Sequence, residues 1–114
     1  MPKSVTIYHN PKCTTSCNVL AMIEASGAKP TIVEYLKAGW TKPQLKELFA
    51  AAGLTPREAM RKKAAGGFGL SEQATDAQIL DAMVENPALV ERPFVVSAKG
   101  ALLARPKERV REIL

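Results

Sequence analysis

Two cysteines and one histidine are the only sulfur and nitrogen side chains of the kind zinc uses among the chain's 114 residues. Zinc asks for about four ligands, usually as paired half-sites. Cys13, Cys17 and His9 make at most one half, so no metal is expected. The amino terminus, MPKSVTIYHN, lacks the roughly 7–15-residue apolar stretch of a secretory signal. The longest apolar run, Leu48 to Leu54, is far short of the roughly 20 residues that span a bilayer. These absences point to a cytoplasmic protein away from membranes, where a lasting structural disulfide is not expected. Aromatic residues make up only 5% of the chain and do not alternate with basic ones, which removes the stacking platforms of single-strand nucleic-acid binders.

Basic charge is in surplus. Sixteen Lys and Arg against eleven Asp and Glu leave a net charge of +5 and a pI near 9.4. That balance suits a small anionic partner, although the charges are dispersed enough to be a solvated surface.

The hydrophobic pattern divides the chain into an α/β frame and a helical middle. SVTIY alternates apolar and polar residues with the period of a strand and runs into the loop signal Asn10-Pro11. A helix follows the cysteines, with Thr14 to Ser16 as candidate N-caps, Leu20 and Ile23 on its apolar face and Gly27 as its stop. Thr31 to Tyr35 reads as a second strand. Three Thr-x-x-Gln/Glu capping boxes then open three helical patterns, Thr41 with Gln44, Thr55 with Glu58 and Thr75 with Gln78. Residues from about 38 to 91 are expected to be helical, apart from the glycine-rich Ala64 to Gln73, a loop with no phosphate-cradle pattern. Pro93–Ser97 and Ala101–Ala104 read as a hairpin, and RPKERVREIL as a closing helix with Pro106 in its first turn. One α/β domain over residues 1–114 accounts for this order.

Both cysteines fall in HNPKCTTSCNVL, between the first strand and its helix. A thiol reacts as the thiolate, and a cysteine just ahead of a helix faces unpaired N–H groups and the positive end of the dipole, which lower its pKa. Cys13 is so placed. The N–H groups of Thr14, Thr15, Ser16 and Cys17 at that helix start would also hold an oxyanion. Arginines grip oxygen pairs bidentately, but spacing alone does not pick functional ones from six. Arg57, Arg105, Arg109 and Arg111 are all explained by solvated helix faces.

YHNPKCTTS resembles the active-site motif of the glutaredoxin-linked arsenate reductases. MRKK, ERPFVV and ARPKE fall in the order of that family's three arginine segments, so the resemblance covers nearly the whole chain. It implies a thioredoxin-like β-α-β…β-β-α core with a helical insertion between the second and third strands. It also implies reduction of arsenate to arsenite. Cys13 would be the nucleophile, and Arg61, Arg92 and Arg105, with Thr14, Thr15 and Ser16, would hold the oxyanion. His9 and Asn10 would support the thiolate. No bound cofactor is implied; glutathione would attack the cysteine-bound arsenate, glutaredoxin would resolve the mixed disulfide, and a cysteine-bound As(III) species would release arsenite. The proline of Arg92-Pro93 matches one that is usually cis in this fold. Nothing in the sequence asks for a dimer, a nucleic acid or a membrane, and a monomer is expected.

Two departures stand out. Where the family has a basic residue after the motif serine, this chain has Cys17, which reads either as a resolving thiol or as a small residue packed in the first helical turn. After Arg61 the chain is short and glycine-rich, with Lys62 and Lys63 as partial substitutes. Two other functions use the same scaffold: a thiol-disulfide redox protein cycling Cys13 and Cys17, and a thiol-sensing regulator that binds the transcription machinery. The arginine segments favour the reductase, and the C-x-x-x-C spacing with an intact His-Asn-Pro disfavours the regulator.

Overall fold

A computed structural model describes residues 4–61 and 73–114. Strand β1 (Ser4–Tyr8) sits inside a four-stranded sheet of order β2-β1-β3-β4. It pairs in parallel with β2 (Lys29–Val33) and antiparallel with β3 (Phe94–Ser97), which pairs antiparallel with β4 (Gly100–Leu103). The first strand and helix α1 (Thr14–Ala25) thus lead into β2 as a βαβ unit. This mixed sheet, with helices inserted between its second and third strands, is the thioredoxin-like arrangement expected from the sequence.

The strands are bounded slightly differently from the pattern. The second strand runs from Lys29 to Val33, where Thr31 to Tyr35 was expected. Its last rung is His9 N–H to the Val33 carbonyl at 2.8 Å. Beyond it the first strand turns away at Asn10-Pro11, so Tyr35 has no ladder to join and instead opens α2 (Tyr35–Ala38) as a buried residue. Pro30 is tolerated because β2 is an edge strand. The hairpin turns through Ala98-Lys99, with Gly100 at φ +137° as its first paired residue on the return.

The sheet's core is Val5 and Ile7 of β1, Val19 and Ile23 of α1, Val95 of β3, Leu102 of β4, and Ala28, Ala104, Val110 and Ile113. Ser16, Val19 and Ile23 form the buried stripe of α1, while Leu20 is only partly covered. Full burial of Val19 and Ile23 contributes about 1.5–3 kcal/mol each and fastens α1 to the sheet. The closing segment is a 3-10 helix, Lys107–Ile113, with Pro106 as its N-cap rather than inside its first turn. Seven residues add too little α-helical cooperativity, and its end is held by Ser97 Oγ donating to the Ile113 carbonyl at 2.7 Å. The Arg92-Pro93 peptide bond is cis, as the resemblance implied, and so is Arg105-Pro106.

The chain divides into two compact units, residues 1–38 with 92–114, and residues 39–91. The second holds α3 (Lys42–Ala52), α4 (Pro56–Ala59), α5 (Asp76–Glu85) and a 3-10 turn at Pro87–Leu89. All three capping boxes form: Thr41, Thr55 and Thr75 accept the N–H of the residue three ahead, and that side chain returns the bond. Each cap is worth about 0.5–2 kcal/mol. Leu45, Leu48, Phe49, Ile79, Leu80, Met83 and Leu89 are buried in this unit. Arg57, expected on a solvated helix face, instead donates from Nη2 to the Ala74 carbonyl at 2.6 Å. The glycine-rich loop, apart from Gln73, and Lys62 and Lys63 lie outside the described residues.

Candidate active site

Cys13 itself is the N-cap of α1, in an extended conformation (φ −97°, ψ 118°) with no side-chain cap bond. The hydroxyl cap expected among Thr14 to Ser16 is not formed. The loop chemistry explains this. Asn10 Oδ1 accepts the Lys12 N–H at 3.0 Å and the Asn10 carbonyl accepts the Cys13 N–H at 3.0 Å, so Asn10 to Cys13 close a tight turn that delivers the thiol to the cap position. The Cys13 carbonyl then accepts the Cys17 N–H at 3.0 Å as the first intrahelical bond. Three N–H groups, those of Thr14, Thr15 and Ser16, are left ahead of the helical ladder. The expected fourth donor, the Cys17 N–H, is used inside the helix and drops out of the anion site.

Burial pushes the Cys13 thiol up. Against this, the Ser16 N–H and the Arg92 side chain donate to the sulfur, the Arg92 charge adds attraction, and the Thr15 N–H donates as well; the net result holds the thiol below the ordinary cysteine range. Arg92, just ahead of β3, is 9% exposed, and its Nε is buried with no hydrogen-bond partner among the described residues. Arg105 Nη1 donates to the Arg92 carbonyl at 3.1 Å, which ties the segments flanking the hairpin together.

His9 and Ser16 are both buried, with His9 Nδ1 2.6 Å from Ser16 Oγ. Burial lowers the His9 pKa, partly countered by the Glu34 carboxylate. His9 therefore meets the site through Ser16, whose own N–H reaches the Cys13 sulfur, while Asn10 shapes the loop. Arg61 belongs to the helical unit, where its N–H donates to the Leu89 carbonyl at 2.7 Å beside the Met60–Val90 bridge.

Thr15, Asn18, Arg105, Pro106, Lys107 and Glu108 line a cavity of about 340 Å³. Asn18, Lys107 and Glu108 were not singled out from the sequence. The only local signal was the helical spacing of Thr15 and Asn18, which places both on one face of α1. Among the described residues, no group of three or more His, Cys, Asp or Glu is placed to hold a metal ion, and no helix is long and apolar enough to cross a membrane.

A thioredoxin-like sheet presenting a thiol at a helix N-cap, with an arginine on its sulfur, is an arrangement chemically suited to a thiolate beside an anion. The chain belongs to the ArsC family, which matches residues 8–113. It is 58% identical over 113 residues to the arsenate reductase ArsI2 of Synechocystis, an alignment covering 96% of this chain and 81% of that protein. It is 44% identical over 114 residues to the arsenate reductase of Escherichia coli K12, covering 97% and 81%. The solved arsenate reductase of Vibrio cholerae superposes with a TM-score of 0.89 at 39% identity and covers 100% of both chains. The family and fold expected from the four sequence segments are both borne out.

Proposed function

We propose that this chain is an arsenate reductase in which the Cys13 thiolate attacks As(V) and displaces one oxygen as water. The carrying observation is the lowered Cys13 thiol beneath two helix N–H donors and a buried Arg92 whose Nε has no hydrogen-bond partner among the described residues. An arsenate oxygen on Arg92 Nε would satisfy that donor while the helix start stabilises the charge. Arg105 adds positive charge for the oxyanion and the intermediates. Glutathione then attacks the cysteine-bound arsenic and displaces a second water. Glutaredoxin takes the glutathione sulfur as a mixed disulfide, leaving its electron pair on arsenic. Hydrolysis of the Cys13–As(III) bond releases arsenite and restores the thiolate.

The cavity beside Thr15 fits glutathione as the thiol donor. Glutathione carries two carboxylates and one ammonium; the cavity presents Arg105 and Lys107 for the former and Glu108 for the latter. A thiol-disulfide protein of the same fold would have no use for a buried arginine on the nucleophile's sulfur, which favours the oxyanion reading.

The test is arsenate-dependent NADPH oxidation in a mixture of glutathione, glutaredoxin and glutathione reductase. Turnover by the unaltered chain, lost in Cys13→Ser, is expected. No arsenate-dependent turnover by the fully reduced chain overturns the proposal.

A further inference from the structure

Cys17 lies one helical turn beyond Cys13 and is exposed. Packing in the first turn of α1 therefore does not explain it: the buried stripe of that helix passes through Ser16 and Val19 on either side of it. Its Sγ points back along the helix and donates to the Pro11 carbonyl at 3.4 Å, above the turn that carries Cys13. The Cys17 N–H bond to the Cys13 carbonyl gives the pair the i, i+4 relation of an α-helix. Helix rise and radius then put the Cα atoms about 6.2 Å apart, inside the roughly 4.4–6.8 Å span of disulfides. The Cβ atoms of such a pair are about 5–6 Å apart, against about 3.8 Å in a disulfide. The remaining closure falls on Cys13, whose extended N-cap backbone stands outside the helical ladder.

We propose that Cys17 is a second reducing thiol for the reaction above, so that the chain completes one reduction without an external thiol. This rests on the arsenate-reductase reading. With arsenic(V) bound to Cys13, the Cys17 thiolate attacks Cys13 Sγ. A Cys13–Cys17 disulfide forms and the Cys13 S–As bond breaks, with its electron pair staying on arsenic. Arsenic leaves as arsenite, two electrons richer, and the proton from the Cys17 thiol passes to solvent. Two molecules of a monothiol such as glutathione then reduce the disulfide and become oxidised glutathione. Cys17 competes at this branch with glutathione arriving from outside. Its exposure leaves the thiol free to swing from the Pro11 carbonyl, to which the S–H is only a weak donor.

The experiment is a single turnover. The reduced chain, freed of external thiol under anaerobic conditions, is mixed with arsenate; arsenite and remaining free thiols are counted, and the tryptic peptide from Cys13 to Lys37, uncut at Lys29-Pro30, is weighed. The expected result is about one arsenite per chain, loss of both thiols, and a peptide lighter by two hydrogens. Cys17→Ser is expected to yield no arsenite under these conditions, and so is Cys13→Ser. Stoichiometric arsenite from Cys17→Ser would overturn the proposal. So would thiol-free yields far below one per chain from unaltered protein that turns over when glutathione and glutaredoxin are supplied, a result that leaves the reductase reading standing. Failure in both mixtures would remove that reading, and this inference with it.

Discussion

His9 Nδ1 lies 2.6 Å from Ser16 Oγ, and the same oxygen accepts the Asn10 N–H at 3.0 Å. Ser16 is fully buried, so one hydroxyl holds together the end of β1, the loop and the first turn of α1. The Ser16 N–H is in turn a donor to the Cys13 sulfur. The geometry of the thiol therefore depends on a buried polar contact beneath it.

Ser16→Ala is expected to destabilise the fold by about 1–3 kcal/mol, since it leaves the Asn10 N–H and the buried His9 nitrogen without their partner. Denaturant unfolding of the variant against the unaltered chain measures this. A shift of a few tenths would mean that water replaces the hydroxyl and that the contact organises nothing.

Protonation of His9 acts in the other direction from most surface histidines. Burial lowers its pKa in the folded chain, with Glu34 countering in part. The unfolded chain therefore takes up the proton first as pH falls. The His9 contribution to stability is complete above the ordinary histidine value of about 6.5 and is lost as pH drops toward the lower folded value. Unfolding midpoints measured across that window are expected to fall with pH, and His9→Gln is expected to flatten the fall. An unchanged slope in His9→Gln would assign the pH response to other groups.

Local chemistry carried most of what could be read in advance. Thr41, Thr55 and Thr75 are legible because a capping box is complete within four residues, and all three formed. The Cys13 placement was legible in kind, since a strand, Asn-Pro and an apolar helix leave the cysteine at the helix start. What escaped was decided by partners distant in sequence. The second strand begins at Lys29 because β1 offers a ladder there and withdraws it after Tyr8. Arg57 looks like a surface arginine until Ala74 comes back to meet it. Cys17 could be a packed or an exposed thiol in sequence, and only the rotation of α1 about its buried stripe decides between them.

Arg92 is expected to set the reactivity of Cys13. In a Cys17→Ser background, the pH dependence of alkylation by iodoacetamide reports Cys13 alone. Its midpoint is expected below the ordinary thiol range and should rise in Arg92→Ala, which removes both a hydrogen bond to the sulfur and the nearby charge. Arg92→Lys should restore part of the depression while recovering little arsenate turnover, because an ammonium keeps the charge but not the planar fork. An unmoved midpoint in Arg92→Ala would leave the helix N–H groups as the whole cause of the lowered pKa.

The glutathione reading of the cavity separates recognition from chemistry. Lys107 is exposed and lines the cavity with Arg105. Lys107→Glu turns an attraction for a carboxylate into a repulsion. A change in one exposed ion pair is worth up to about 1 kcal/mol, and reversal rather than removal roughly doubles it. The KM for glutathione is therefore expected to rise several-fold, with kcat at saturation much less affected. Dithiothreitol has no carboxylate, so its KM should hardly move in the same variant. Raised ionic strength should raise the KM for glutathione in the unaltered chain and leave that for dithiothreitol nearly constant, because exposed charges are screened within about 10 Å at 0.1 M salt. Equal changes for both thiols would show that Lys107→Glu disturbs the site itself, and the cavity would then have no claim as the place where the peptide docks.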